Sequence, residues 1–378
     1  MNENKKSKIW MIIALVAIVI IVVLGVVLVV SNNSKESDEV EETESSAKKE
    51  KIKIVENEAS KLTLEEYKTD NFTMKKPTGW NVETGGTGIF YAIRVYDPQN
   101  TNNQVYLMLK VQPLLKNTSA KTFWQNYYSM SGNNAQYKLY ADAVVLDNPT
   151  TEGFYKKFDE ISTYLGSIEP TLSSMKFPRF SNFTKIEEFD SSASMRSVAL
   201  DSKVLRGTFT GENSKEGEGL FMASVVNFGD QYSGEVDMLY YMVYDIMAIT
   251  AEKDKFIDYK DILLESVNSI EFSESYVKQT IDDGNSQTKQ ALALNASIQK
   301  AFDSYMNAWE SRQTSYDIMS QKQSDEILGY ERVYDTDTGD IYKAYNGFTD
   351  DYQGNRYQSI TDNMYTEKTS GYIEELGK

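Results

Sequence analysis

Three clusters in this chain bring together side chains that could do chemistry, and all three rely on carboxylates, hydroxyls or aromatic rings. Asp335, Asp337 and Asp340, in Asp-Thr-Asp-Thr-Gly-Asp, form the best candidate for an oxygen-ligand metal site. An EF-hand loop requires an acid or amide at its fifth position, glycine at its sixth and a bidentate glutamate at its twelfth. Counted from Asp335, those positions hold Gly339, Asp340 and Asn346, so the default reading is a polar hairpin turn, with a looser Ca2+ site as the alternative. Asp350 and Asp351, beside Phe348, Tyr352 and Tyr357, could form a sugar-binding ledge in which rings stack on pyranose faces and carboxylates take hydroxyls. The same tyrosines would equally suit a small core with wet edges. Ser173-Ser174-Met175-Lys176 has a Ser-x-x-Lys spacing, but it falls just before Pro178 with no convincing helix to present it.

The absent residue types exclude more than the present ones suggest. The chain has no cysteine and no histidine. That removes disulfides, thiolate nucleophiles, cysteine–histidine zinc sites and histidine-dependent triads. Carboxylate chemistry survives, yet a glycosidase pair must sit about 5–9.5 Å apart. Among 56 acids some pair is inevitable, and no local motif singles one out. The acids outnumber 39 basic residues, for a net charge of −17. Such a field repels nucleic acid and anionic polymers and favours cations or basic partners.

The elements that must position these residues begin with Ile9–Val30, 22 residues without a charge, amide or hydroxyl. A helix of that length spans about 33 Å, against a hydrocarbon core of roughly 30 Å. Lys5, Lys6 and Lys8 precede it, and Lys35 to Glu50 follows with seven acids and three lysines. This asymmetry keeps the N-terminus cytoplasmic and places residues 31–378 outside the cell. A cleaved signal peptide would have a shorter apolar core ending in small residues; here the run ends Val-Val-Leu-Val-Val-Ser. The expected division is a cytoplasmic tail (1–8), a single transmembrane helix (9–30) and an acidic disordered stalk (31–68) dispensable for folding.

The exposed body reads as α+β. Residues 69–175 and 176–277 each show strand-like runs closed by an amphipathic helix, either as two units or as one domain. In the first, Phe154, Phe158, Ile161 and Leu165 share a helix face; in the second, Phe256, Leu263, Val267 and Ile270 do. Tyr137–Leu146 reads as extended. Residues 278–328 read as a long amphipathic helix with a stripe of Leu294, Ile298, Ala301, Tyr305, Ala308, Trp309 and Tyr316. Residues 329–378 read as a small, tyrosine-rich β element, with a hairpin turning at Thr336–Gly339.

Phe72 to Trp80, a strand running into Pro77-Thr78-Gly79-Trp80, and the closing Ser269-Ile270-Glu271-Phe272 resemble PsbP-like α+β domains. That resemblance implies antiparallel sheets covered by helices and used as accessory or binding modules. From Arg94-Val95-Tyr96-Asp97-Pro98 onward, the chain resembles uncharacterised membrane-anchored surface proteins of Gram-positive bacteria, which transfers no site residue. The expected function is a non-catalytic, membrane-anchored extracellular envelope protein that displays a binding or assembly surface. Its expected contacts are the membrane through Ile9–Val30 and an envelope protein or wall polysaccharide, without nucleic acid or cofactor. The alternative is a carboxylate-dependent cell-wall-acting hydrolase.

Overall fold

Two long strands meet at the centre of the molecule, and the order of elements follows from how each half of the chain approaches them. The computed structural model describes residues 52–282, 303 and 315–375. The first half runs β1 (Ile52–Glu56), α1 (Glu58–Lys61), β2 (Leu64–Lys68), β3 (Phe72–Pro77), β4 (Asn81–Gly85), β5 (Ala92–Tyr96) and β6 (Gln104–Leu115). Four helices follow: α2 (Thr118–Met130), α3 (Ala135–Asp142), α4 (Thr151–Lys156) and α5 (Phe158–Ile168). Then come β7 (Ser181–Asp190), β8 (Asp201–Thr210), β9 (Glu216–Asn227), the short β10 (Tyr232–Ser233) and β11 (Val236–Asp237), and β12 (Tyr240–Glu252). The chain continues through α6 (Phe256–Asn268), β13 (Glu271–Phe272), α7 (Glu274–Asp282) and α8 (Ser315–Leu328). It closes with β14 (Tyr330–Asp335), β15 (Ile341–Tyr345), α9 (Phe348–Asp351), β16 (Tyr357–Ser359) and β17 (Gly371–Glu375).

The central sheet has seven strands in the order β4-β5-β6-β12-β9-β8-β7, with antiparallel neighbours throughout. It therefore runs unbroken across residue 176, joining both expected units at the β6–β12 pair. β6 and β12 are buried almost along their whole length because both faces of the sheet are covered. Tyr106 and Met108 of β6 join the core under α4 and α5, where Phe154, Phe158, Ile161 and Leu165 lie. Val105, Leu107 and Leu109 point the other way, onto Phe256, Leu263 and Val267 of α6 and onto Phe72 of the three-stranded sheet β13-β3-β2. This is the two-residue alternation of a strand sorting one sequence into two cores.

One expectation fails locally. Residues 135–142 form a helix, not a strand: Asn134 accepts a hydrogen bond from the Gln136 amide at 3.0 Å and starts it.

A buried polar chain crosses the sheet near a register shift in β12, between Tyr244 and Met247. Asp245, fully buried with φ 53°, accepts hydrogen bonds from Ser224 Oγ at 2.7 Å and Ser194 Oγ at 3.3 Å. Burial holds its carboxyl above the usual carboxylate range, against the lowering effect of these bonds. The folded state thus binds the proton more tightly than the unfolded state. The group's contribution is greatest at low pH and is lost as pH rises through its raised pKa. Asp245→Asn, neutral throughout, should gain on the native protein in urea unfolding as pH rises above the ordinary carboxylate range. A gap that stays constant over that rise would show that Asp245 does not titrate within it.

The sequence-derived fold class needs correction at its N-terminus. Among the described residues no helix is long and apolar enough to cross a membrane. The 14 described residues of α8 reach about 21 Å at 1.5 Å per residue, short of a hydrocarbon core of roughly 30 Å. The expected span Ile9–Val30 lies outside the described residues, as do the stripe residues Leu294, Ile298, Ala301, Tyr305, Ala308 and Trp309. The α+β body has strands as its larger component.

The stalk reading also changes from residue 52 onward. Ile52–Glu56 forms β1, antiparallel to β17 along its whole length, and Leu64–Lys68 forms β2. The C-terminal β element is therefore a five-stranded sheet, β1-β17-β15-β14-β16, built from both ends of the described chain. Its hairpin pairs Tyr334 with Ile341 around the expected turn. Asp258 of α6 accepts hydrogen bonds from Thr369 N at 2.7 Å and Oγ1 at 3.0 Å, tying this sheet to the helix that covers the larger one.

Candidate functional site

The expected metal cluster is a structural corner. Asp335 is fully buried, and its two oxygens accept from Arg356 Nε at 2.9 Å and Nη2 at 2.7 Å. That bidentate pairing holds its carboxyl below the usual range. Asp337 lies 3.4 Å from the same guanidinium, and Asp340 accepts from Ser370 Oγ at 2.9 Å. A cation already occupies the place a divalent ion would take, so these residues do not fit Ca2+. Among the described residues no group of three acids could hold a metal.

The expected sugar ledge is mostly core. Phe348 and Tyr357 are buried. Tyr352 stacks on Phe348 at 5.3 Å and meets Tyr357 edge-on at 5.5 Å. Asp350 and Asp351 stay exposed in the single turn of α9, and Asp351 accepts from Tyr345 Oη at 3.0 Å. The rings thus turn toward one another and away from any ligand. Tyr357→Ala should cost about 3 kcal/mol of stability, read by denaturant unfolding, because it empties part of a small core. Ser173 donates to the Pro170 carbonyl at 2.7 Å, while Lys176 Nζ lies 3.7 Å from Glu83, so the Ser-x-x-Lys pair does not assemble.

Exposed aromatic surface gathers elsewhere, on the α2–α3 hairpin. Asn117 and Asn134 cap the two helices, and Gly132 and Asn133, both at positive φ, turn the chain between them. Trp124 anchors the hairpin: its Nε1 donates to the Met238 carbonyl at 3.0 Å, and its ring stacks on Tyr140 at 4.5 Å. Outward from that anchor, Phe123 stacks with Tyr127 at 6.0 Å, and Tyr127 meets Tyr137 edge-on at 4.7 Å. Tyr127 is 43% exposed and Met130 85%. Phe228, 50% exposed, stacks on Tyr240 at 4.6 Å, and Tyr240 in turn meets Tyr140 of the hairpin at 5.9 Å. The sequence signal was present in Phe123 and Tyr127 sharing a helix face. What concealed it was the extended reading of residues 137–146, which kept Tyr137 and Tyr140 away from α2.

A polar groove of about 760 Å³ opens along the same hairpin, lined by Lys121, Gln125, Asp142, Glu160, Thr163 and Ser167 among others. Its acids already hold partners: Asp142 pairs with Lys138, and Glu160 with Lys157 at 2.9 Å. Asp159 accepts from the Phe180 amide at 2.9 Å. Lys121 donates to the Ala143 carbonyl at 2.6 Å, and burial lowers its pKa. Rings beside amides, hydroxyls and paired charges make a surface that stacks and hydrogen-bonds. No known protein family matches the chain, and no curated protein matches it either.

Proposed function

We propose that the protein is a non-catalytic envelope module whose α2–α3 hairpin displays a surface for wall polysaccharide. The observation that carries this reading is the surface run of rings Phe123, Tyr127 and Tyr137, with Tyr127 exposed and the other two half-buried, held by a half-buried Trp124 and bordered by a groove with hydroxyls, an amide and charged groups. Flat aromatic faces suit pyranose rings, and the groove's side chains suit their hydroxyls. Apolar surface such as that of Tyr127 and Met130 is costly to leave in water unless a partner covers it. The net charge of −17 favours a neutral or amino-sugar polymer over an anionic one. The PsbP-like resemblance, which implies accessory and binding roles, agrees with it. Ion-paired groove acids support binding over carboxylate hydrolysis, which needs one acid free to protonate a leaving group.

The test is retention of the chain on wall glycan stripped of anionic polymer, and on chitin. Changing Phe123 and Tyr127 together to serine should lower retention about tenfold, the equivalent of 1.4 kcal/mol. The same change should leave the melting temperature within a few degrees, since Tyr127 faces water and Phe123 lies at the edge of the hairpin outside the core. Equal retention of native and doubly substituted chains, or no retention of the native chain, overturns the proposal.

A further inference from the structure

Beneath that hairpin lies a second feature, which the polysaccharide reading does not use. The face of β6 that carries Tyr106 and Met108 continues through Lys110 and Gln112. Lys110 is only 8% exposed, and its backbone partner across the ladder is Tyr244 of β12. Its ammonium lies 5.1 Å from the centre of the Tyr244 ring and 5.9 Å from that of Phe90. No described carboxylate pairs with it. By contrast Lys116, further along the chain, is held by both Asp230 and Asp237.

Phe90 is also a wall of a cleft of about 290 Å³, together with Gln112, Leu139, Leu165, Leu172 and Tyr240. The turn before Phe90 is tightly fitted. Gly86 sits at φ +81°, and a Cβ there would come within 2.2 Å of the Phe90 carbonyl oxygen. Gln112 Oε1, in the wall of the cleft, is buried without a hydrogen-bond donor. The cleft thus combines leucine and aromatic walls with a buried amide atom without a partner, and Lys110, outside its lining, lies against Phe90, the wall the two share. Leaving a cation in such surroundings is unfavourable, and an anion arriving there would relieve that cost.

We propose that this cleft binds a small amphipathic anion, an aryl or alkyl carboxylate. Its apolar body lies among Leu139, Leu165 and Leu172, and its carboxylate is held by Lys110. The lysine stem has four rotatable carbons and can swing its ammonium past the Phe90 ring toward Gln112. Rotating the Gln112 amide then offers an N–H to the second carboxylate oxygen. Burial lowers the Lys110 pKa to about 8, as expected for a cation that lacks a counter-charge. The site is separate from the exposed rings of the hairpin, sharing only the side of the hairpin on which Leu139 and Tyr140 point inward.

The test uses the full chain, with 3-phenylpropionate and the neutral 3-phenylpropanol titrated by calorimetry. The acid should bind more tightly than the alcohol. Lys110→Met, which keeps an apolar stem, should weaken the acid at least about tenfold, the loss of one charge-assisted hydrogen bond. It should leave the alcohol within about twofold. Leu139→Trp, which fills the cleft, should abolish binding of both. If Lys110→Met melts without cooperativity, Lys110→Gln serves with the same reading. Acid and alcohol binding equally, either variant leaving the acid unaffected, or no binding of the acid to the native chain would overturn the proposal.

Discussion

A chain that begins at Leu62 is expected to unfold at much lower denaturant concentration than one that begins at Lys51. The shorter chain loses β1, which covers the edge of β17 along five paired residues. It also loses Ile52 and Ile54, which pack on the small core of Val333, Tyr342, Ala344 and Ile373. Two further links go with them: Asn57 donates to the Thr369 carbonyl, and Ser60 Oγ to the Ser370 carbonyl at 3.1 Å. A half-buried isoleucine contributes roughly 1 kcal/mol, and each net hydrogen bond about 0.5–1.5 kcal/mol. The expected loss is about 4–8 kcal/mol, concentrated in the five-stranded sheet. Hydrogen exchange would locate it: amides of β14, β15 and β17 should exchange early in the shorter chain, while those of β6 and β12 stay protected. Equal unfolding midpoints would mean that β1 adds nothing to the sheet, and would return residues 52–61 to the role of a dispensable stalk.

The second large effect is expected at Asp325. This carboxylate, on α8, is 2% exposed and faces two cations that are themselves buried. Arg332 Nε lies 2.6 Å from one oxygen, and Lys343 Nζ lies 2.8 Å from the other. Asp325→Ala would remove the carboxylate both buried cations touch, leaving only the more distant charge of Asp258 near them, at a cost of about 3–5 kcal/mol. The three groups fix α8 to β14 and β15, so the loss should appear as release of the helix as well as a lower midpoint. Replacing Asp325, Arg332 and Lys343 together with apolar residues of similar size should recover much of the stability, because the uncompensated charge is then gone. A triple variant no more stable than Asp325→Ala would show that the network contributes mainly through helix packing.

These two expectations separate local information from tertiary information. Local pattern was enough where a helix or strand buries one continuous stripe. Phe154, Phe158, Ile161 and Leu165 were placed on a buried face by spacing alone, as were Phe256, Leu263, Val267 and Ile270, and all are buried. The turn at Thr336–Gly339 followed from its own residues, and the missing cysteine and histidine excluded whole chemistries without reference to shape.

Partner choice was not legible, because a strand's sequence records which face is apolar and says little about which distant strand lies beside it. That the two halves meet at β6 and β12, or that Ile52–Glu56 pairs with residues more than 300 positions away, depends on long-range closure of the chain. The candidate sites failed for the same reason. Asp335 looked like a ligand until the fold brought Arg356 against it, and Tyr357 looked like a display residue until Phe348 and Tyr352 closed around it. Conversely, Lys110 is one lysine among many in the sequence. It becomes notable because β12 and the Phe90 turn bury it where no described acid reaches, and that environment exists only once the sheet has formed.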